Sequence, residues 1–321
     1  STESPITKDK LDAKNENTKK LTPNQKIVFA DAGYEKKTIN IKNMLKEGGE
    51  KNSKIVKIFT NTEQGSNAVI IQNSEGVLSY NVAGTHPSSI KVGDVKETLK
   101  DLETDFYITT DQFKGDLKYR ADEITHNIVQ FNQETGNKQR IVVNGHSAGG
   151  PPALFAMASN PDLIKEVNMI DSPGVYSMLI KFYGGDIIKA QAMYQNVEIY
   201  NANRNLVNSV GDHPPGKLIH HIKSDYHKAD GIRRHYIDYG STLILGRCHM
   251  NTACSYQNGE YTIIKSVPTT KSNIAEYYGV NENQVQVVPV TTGEMAMQKN
   301  PNPTQIYKKF KIIEAEGVKN E

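Results

Sequence analysis

Residues 140–150 read Arg-Ile-Val-Val-Asn-Gly-His-Ser-Ala-Gly-Gly, an apolar run followed by a turn and then a helical segment. A strand that passes directly into a helix in this way places Ser147 on a sharp turn, with its hydroxyl at the end of a sheet. Gly145 and Gly149 suit the turn because a Cβ atom there would strike the neighbouring strand or helix, and His146 is expected to pack beneath it. The helix would direct its first amide groups toward Ser147. The pattern predicts a serine nucleophile; a serine that only caps the helix is the alternative.

The segments around this turn alternate between apolar strands and amphipathic helices. Helices are expected at residues 24–35, 113–131, 152–159 and 176–194. Strands are expected at residues 54–60, 68–72, 76–83, 141–143, 167–170, 197–200 and 217–222. The first three strands are separated only by short turns and should be antiparallel, whereas the later ones alternate with helices and should be parallel. We therefore predict the α/β class: an α/β-hydrolase fold with a mixed, mostly parallel sheet and helices on both faces.

Composition divides the chain into three parts. Residues 1–22 are rich in Lys, Asn, Thr, Glu and Asp and are expected to be a disordered segment or a tether. Residues 23–245 hold the alternating elements and form the predicted α/β-hydrolase catalytic domain. Residues 246–321 have a mixed pattern with a Lys/Glu-rich end and are predicted to be a C-terminal extension.

The overall composition excludes several classes of protein. With 37% hydrophobic residues among 321, the chain can build a core, and its formal net charge of +2 gives no indication of nucleic-acid binding. No apolar run reaches the roughly 18 residues of a transmembrane helix, so a soluble protein is expected. The polar start shows no signal peptide. The charged, weakly hydrophobic ends favour a secreted bacterial protein or effector, and a cytoplasmic protein is the alternative.

The two cysteines give little information about chemistry. Cys248 and Cys254 are predicted to be ordinary thiols, or a short-loop disulfide if the protein is secreted. With His249 they supply too few ligands for a zinc site, so no metal is predicted.

A serine nucleophile needs a histidine base and an acid that orients the base. In α/β-hydrolases these residues follow one another in the order Ser, acid, His. Asp171 comes directly after the predicted strand 167–170, which places its carboxylate at the sheet edge where Ser147 emerges. Asp212, after the next strand and helix, is the second candidate. The alternative for Asp171 is that it only caps the turn that begins at Ser172.

The candidate bases lie among six histidines between residues 213 and 249. His235 is preferred because it follows the last parallel strand, as the chain order requires, and His227 is the second candidate. His220 and His221 lie within a predicted strand, where one should face the core and the other solvent.

Acyl transfer also needs hydrogen-bond donors for the tetrahedral oxyanion. One is the backbone N–H of Ala148, the residue after the nucleophile. The other should come from the end of an earlier strand, and residues 80–85 form such a strand that ends in Gly84-Thr85. The Thr85 amide and hydroxyl are the second predicted donors; a simple strand end is the alternative.

Residues 55–245 resemble the class 3 lipase family of the α/β-hydrolase fold. Ala83-Gly84-Thr85 stands where the family has Arg-Gly-Thr or Arg-Gly-Ser, and residues 145–150, Gly-His-Ser-Ala-Gly-Gly, are similar to its Gly-His-Ser-Leu-Gly-Gly. Residues 172–175, Ser-Pro-Gly-Val, look like its Ser-Pro-Arg-Val-Gly. The resemblance implies a serine esterase without a cofactor. It would cleave carboxylic esters, such as those of triglycerides or phospholipids, through a Ser-His-Asp triad and an acyl-enzyme.

Two positions depart from the family pattern. The family acid lies in an Asp-x-Val-Pro segment, and the nearest match here is Asn205-Leu206-Val207-Asn208. Asn205 can orient a histidine ring but cannot stabilise its positive charge. Asp171 stands where pancreatic-type lipases carry their acid, one strand earlier, and is therefore preferred. Ala83 replaces the usual arginine beside the oxyanion-binding residues.

Residues 86–112 and 174–196 lie where lipase-like enzymes carry lids. The apolar run Met178–Tyr183 could shield an acyl pocket, contact a membrane surface or belong to the core. A serine peptidase, amidase or acyltransferase would share the same triad, and a non-catalytic binding domain would explain the irregular acid position. A lipid or other acyl-ester substrate, with peripheral membrane contact, is the preferred expectation.

Overall fold

A computed structural model gives the fold of the chain. It describes residues 16–60, 67–82, 84, 115–201, 213–223, 262–268, 270, 272–273, 281–282, 285–289 and 308–312. The predicted site residues outside these ranges are Thr85, Asn205, Asp212, His227 and His235. Ala83, Cys248, His249, Cys254 and the predicted lid segment 86–112 also lie outside them.

The centre of the protein is a sheet of eight strands whose order in space is their order in the chain. The strands are β1 (Lys54–Thr60), β2 (Asn67–Gln72), β3 (Leu78–Val82), β4 (Ile141–His146), β5 (Ile164–Ile170), β6 (Val197–Asn201), β7 (Leu218–Lys223) and β8 (Thr262–Pro268). β1, β2 and β3 pair antiparallel, β3 to β7 pair parallel, and β8 returns antiparallel to β7. The carboxyl ends of β3 to β7 therefore meet at one edge, which is where a site can form in such a sheet.

Helices cover both faces of the sheet. In the described part they are α1 (Pro23–Ala32), α2 (Thr38–Glu47), α3 (Gly115–Thr135), α4 (Gly150–Ser159), α5 (Tyr176–Phe182) and α6 (Ile187–Tyr194). Neighbouring residues of β4 face opposite cores: Val142 packs with the residues of α1 and α2, and Val143 packs with those of α3 to α6. Both faces of β4 are thus buried, which explains why the strand begins with three consecutive apolar residues, Ile141–Val143.

This architecture confirms the predicted fold class. The sheet is mixed and mostly parallel, it carries helices on both faces, and a strand passes through a tight turn into a helix at Ser147. Together these are the features of an α/β-hydrolase fold.

The predicted helix at 176–194 is two helices. Gly184 and Gly185 have φ angles of 67° and 89°, which residues with a side chain rarely adopt, and they end α5. Asp186 then begins α6 by accepting a hydrogen bond from the Lys189 amide at 3.0 Å. The apolar run in α5, including Leu179, is buried in the core. Of the three alternatives for this run, the structure supports core packing.

Ordered structure extends past both predicted borders of the catalytic domain. Glu16 forms an ion pair with Arg140 at 2.8 Å, and Leu21 is buried. At the other end, β8 joins the main sheet although it follows residue 245, and β9 (Val285–Pro289) pairs with β10 (Lys308–Ile312) in a second sheet.

Two features are absent from the described ranges. None of their helices combines the length and apolarity that crossing a bilayer requires. Nor do these ranges bring three or more His, Cys, Asp or Glu side chains together as metal ligands.

Candidate active site

The turn after β4 holds Ser147 in an unusual backbone conformation. Its φ angle is 55°, in the left-handed region that non-glycine residues seldom occupy. A 3₁₀ turn over Ser147–Gly149 links β4 to α4. Gly145 must be glycine here, because a Cβ atom on it would lie 2.4 Å from the Gly149 carbonyl oxygen. Backbone strain of this kind persists only where surrounding structure enforces it, and it is common at functional sites.

Ser147 is buried, with 2% of its surface exposed. Gly84, just after β3, lies against it: a Cβ atom on Gly84 would be 2.9 Å from the Ser147 Cβ atom and 2.8 Å from the His146 carbonyl oxygen. The end of β3 is therefore pressed onto the turn.

Asp171 occupies the matching position on the next strand. It directly follows β5, it is buried, and its φ angle is 44°. Its amide donates a hydrogen bond to the Tyr200 carbonyl oxygen at 2.8 Å, which fixes the end of β5 against β6. Ser147 and Asp171 are the two non-glycine residues with positive φ in the described part of the chain.

A second buried carboxyl group, Asp31, lies near Asp171. It belongs to α1, and 3% of it is exposed. Burial raises the pKa of Asp31 well above its ordinary value, and the negative charge of Asp171 raises it further. The sequence carries a signal for it, since Asp31 is a charged residue in the apolar stretch Ile27–Ala32, but Asp31 was not among the predicted site residues.

Tyr34 connects the ends of β3 and β4. Its hydroxyl oxygen accepts a hydrogen bond from the Gly84 amide at 3.0 Å and lies 2.7 Å from Nδ1 of His146. The two rings meet edge to face, with centroids 5.4 Å apart. Burial raises the pKa of Tyr34, so the group stays a neutral hydroxyl at physiological pH. Tyr34 was not among the site residues predicted from the sequence.

Arg120 brings a positive charge to the same place. It lies on α3, it is buried, and its Nη1 donates a hydrogen bond to the Ala148 carbonyl oxygen at 3.3 Å. Its charge lowers the pKa of Tyr34, whereas the charges of Asp31 and Asp171 raise it. The charges of Arg120, Asp31 and Asp171 are therefore close enough to the Tyr34 hydroxyl to change its pKa.

The structure thus gathers part of the predicted set. Ser147, Ala148 and Asp171 lie at the carboxyl edge of the parallel strands. His220 contacts Ser266 on β8, with Nδ1 at 2.7 Å from the hydroxyl oxygen. His235, His227, Asp212, Asn205 and Thr85 lie outside the described residues, so their roles remain predictions.

No protein-family model matches the sequence, and no curated protein matches it. Solved structures that are similar to the chain include lipase II from Rhizopus niveus, at 13% identity over 63% of this chain and 78% of that one, with a TM-score of 0.33. A triacylglycerol lipase from Penicillium expansum is 14% identical over 61% of this chain and 77% of that one, with a TM-score of 0.33. The Rhizomucor miehei lipase propeptide complex is 11% identical over 64% of this chain and 73% of that one, with a TM-score of 0.34. The fold itself follows from the strand order and the turn at Ser147.

Proposed function

We propose that this protein is a serine hydrolase that cleaves carboxylic esters. The observation that carries the proposal is the backbone of Ser147, held at a φ angle of 55° between a buried strand and a helix. Ordinary helix capping does not need that conformation, since capping residues have extended backbones. A nucleophile does need it, because the strained turn presents the hydroxyl beside the amides at the start of the helix.

In the proposed reaction the Ser147 hydroxyl attacks the ester carbonyl while a histidine accepts its proton. Negative charge then develops on the carbonyl oxygen, where the Ala148 amide, and the Thr85 amide as predicted, would donate hydrogen bonds. The histidine returns the proton to the departing alcohol, which leaves an acyl-enzyme. Water, activated by the same histidine, releases the acid and restores Ser147.

Asp171 is the preferred acid and His235 the preferred base of this proposal. Three facts support Asp171: it lies at the same sheet edge as Ser147, it is buried, and its backbone is fixed by the hydrogen bond to Tyr200. A buried carboxylate in a fixed position can hold an imidazole ring and stabilise its charged form. His227 remains the second candidate for the base.

Lipid esters are the proposed substrate class, as the resemblance to class 3 lipases implies. Contact with a lipid surface and secretion are also predictions from the sequence. An amidase or acyltransferase would use the same residues, so the choice of substrate has to separate these activities.

A fluorophosphonate probe tests the proposal on the full chain. We expect labelling of the wild type and of Ser159→Ala, a matched control at an exposed serine of α4, and none of Ser147→Ala. Because Ser147 is buried, labelling should be run with and without detergent micelles. Absence of labelling of folded wild type under both conditions would instead support a binding domain.

A second assay addresses the substrate. p-Nitrophenyl esters of increasing acyl length should be hydrolysed, and matched p-nitroanilides should be poor substrates. Phospholipid vesicles, assayed in parallel, report release of fatty acid. Faster turnover of the anilides than of the esters would contradict the esterase assignment and favour an amidase.

A further inference from the structure

The hydroxyl of Tyr34 lies between two strand ends that must stay in register for the proposed chemistry. It contacts the Gly84 amide at the end of β3 and His146 at the end of β4. Gly84 touches Ser147 from one side, and His146 is the residue that precedes Ser147 in the turn. Tyr34 itself follows α1 and belongs to neither strand, so it acts as a bridge supplied by a third element.

Chemistry fixes the direction of the bond with Gly84, whereas the direction of the bond with His146 depends on which ring nitrogen carries the proton. A backbone N–H can only donate, so the Tyr34 oxygen accepts the bond from Gly84. The hydroxyl proton then needs an acceptor, and Nδ1 of His146 lies at 2.7 Å. Donation to Nδ1 leaves the single proton of a neutral His146 ring on Nε2. The Gly84 amide is thereby used by Tyr34, so its contribution is to fix the strand end and not to bind the oxyanion itself.

We propose that Tyr34 is a positioning residue for the hydrolase reaction, because its hydroxyl holds Gly84 and His146 together and so fixes the space beside the Ser147 hydroxyl where the oxyanion forms. This inference rests on the proposed function. Donors that stabilise an oxyanion act only within a few tenths of an ångström of the right position, so loosening the strand end weakens transition-state binding more than substrate binding.

The test compares Tyr34→Phe with Tyr80→Phe in the full chain. Each variant removes one buried tyrosine hydroxyl, and Tyr80 loses a hydrogen bond to Asn127 at 3.0 Å instead. For Tyr34→Phe we expect kcat on a p-nitrophenyl ester to fall about 10- to 100-fold with KM nearly unchanged, and fluorophosphonate labelling to slow by a similar factor. Tyr80→Phe should keep the wild-type labelling rate, and thermal melts identify any loss of folding in either variant.

A measurement on the wild type keeps the proposal testable if Tyr34→Phe does not fold. Long-range ¹H–¹⁵N spectra of histidine-labelled protein should show His146 with Nδ1 unprotonated and Nε2 protonated. If Tyr34→Phe does fold, its Nδ1 resonance should differ from that of the wild type, whereas that of Tyr80→Phe should not.

The two proposals fail in different ways. A wild type that is never labelled contradicts the hydrolase proposal. A labelled wild type with an equally reactive Tyr34→Phe, or with a proton on Nδ1 of His146, overturns the role of Tyr34 and leaves the hydrolase proposal standing.

Discussion

Gly84 lies so close to Ser147 that a Cβ atom built on it would be 2.9 Å from the Ser147 Cβ atom. Real Cβ atoms essentially never approach that closely, so only glycine fits between the end of β3 and the turn. The contact joins residues that are far apart in the sequence. It shows that the end of β3, where an oxyanion donor is predicted, lies next to the predicted nucleophile in the fold.

Gly84→Ala should therefore reduce activity by more than its effect on folding explains. The added methyl group meets the His146 carbonyl oxygen at 2.8 Å, and overpacking of this kind costs about 1–3 kcal/mol. It also pushes β3 away from Ser147, so the rate of fluorophosphonate labelling should fall at least about 10-fold. Labelling rate and urea denaturation are measured on the same samples.

Gly216→Ala is the control for this prediction. Gly216 has a φ angle of 81°, and a Cβ atom there meets nothing within 4 Å. Alanine should lower stability by about 1–2 kcal/mol through backbone strain alone and leave labelling unchanged. If Gly84→Ala were labelled at the wild-type rate, a functional role for the close contact would be contradicted.

Asp171→Asn should lower kcat by about 10⁴-fold, the loss seen when the acid of a catalytic triad becomes an amide. The amide keeps the size of the side chain but cannot stabilise a charged imidazole. Asp162→Asn, at an exposed carboxylate, should leave kcat at the wild-type value. Near-normal turnover by Asp171→Asn, together with an inactive Asp212→Asn or Asn205→Ala, would transfer the role of the acid to another residue.

Local patterns in the sequence predict the parts of this fold that local forces determine. The turn at Ser147 follows from an apolar strand, two glycines and a helical segment that are adjacent in the chain. The antiparallel β1, β2 and β3 likewise follow from short turns between apolar runs. Gly184-Gly185 ends α5 by the same kind of local rule, although a single helix was predicted across these two residues.

Contacts between distant residues could not be predicted in this way. Tyr34 is 50 residues from Gly84 and 112 residues from His146, and nothing near Tyr34 in the sequence indicates either partner. Arg120 resembles any polar residue of an amphipathic helix until α3 is packed beside Ala148. Helix α2 was also missed, because its N-cap residue, Lys37, forms no side-chain capping hydrogen bond that would mark the start.

Asp31 makes stability depend on pH in a direction that can be tested. Because burial and the charge of Asp171 raise its folded pKa above the ordinary 3.8, the folded state holds the proton more tightly than the unfolded chain. This stabilisation is complete below pH 3.8 and is lost as the pH rises through the folded pKa of Asp31. Asp31→Asn cannot ionise, so its free energy of unfolding relative to wild type should increase with pH.

The difference between Asp31→Asn and wild type should grow by up to about 1.4 kcal/mol per pH unit in that window. Urea denaturation at a series of pH values from 4 upward measures it, and Asp162→Asn controls for the loss of one negative charge. In the Asp171→Asn background this pH dependence should weaken, because the charge of Asp171 no longer raises the pKa of Asp31 and only burial does. A difference that shrinks with pH would show that Asp31 is ionised and stabilising.

A row of buried asparagines crosses the sheet below the candidate site, and its central member is predicted to be the most sensitive. Asn144 donates a hydrogen bond to the Asn81 oxygen at 2.7 Å and accepts one from the Asn168 amide at 2.8 Å. Asn144→Ala would remove both bonds and leave buried polar atoms on two strands. We expect a loss of about 2–4 kcal/mol in the free energy of unfolding, because each unsatisfied buried group costs about 1–3 kcal/mol. Asn43→Ala, at an exposed position of α2, should change it by less than about 0.5 kcal/mol. Urea denaturation compares the two variants, and equal losses would mean that the row contributes no more than a surface amide.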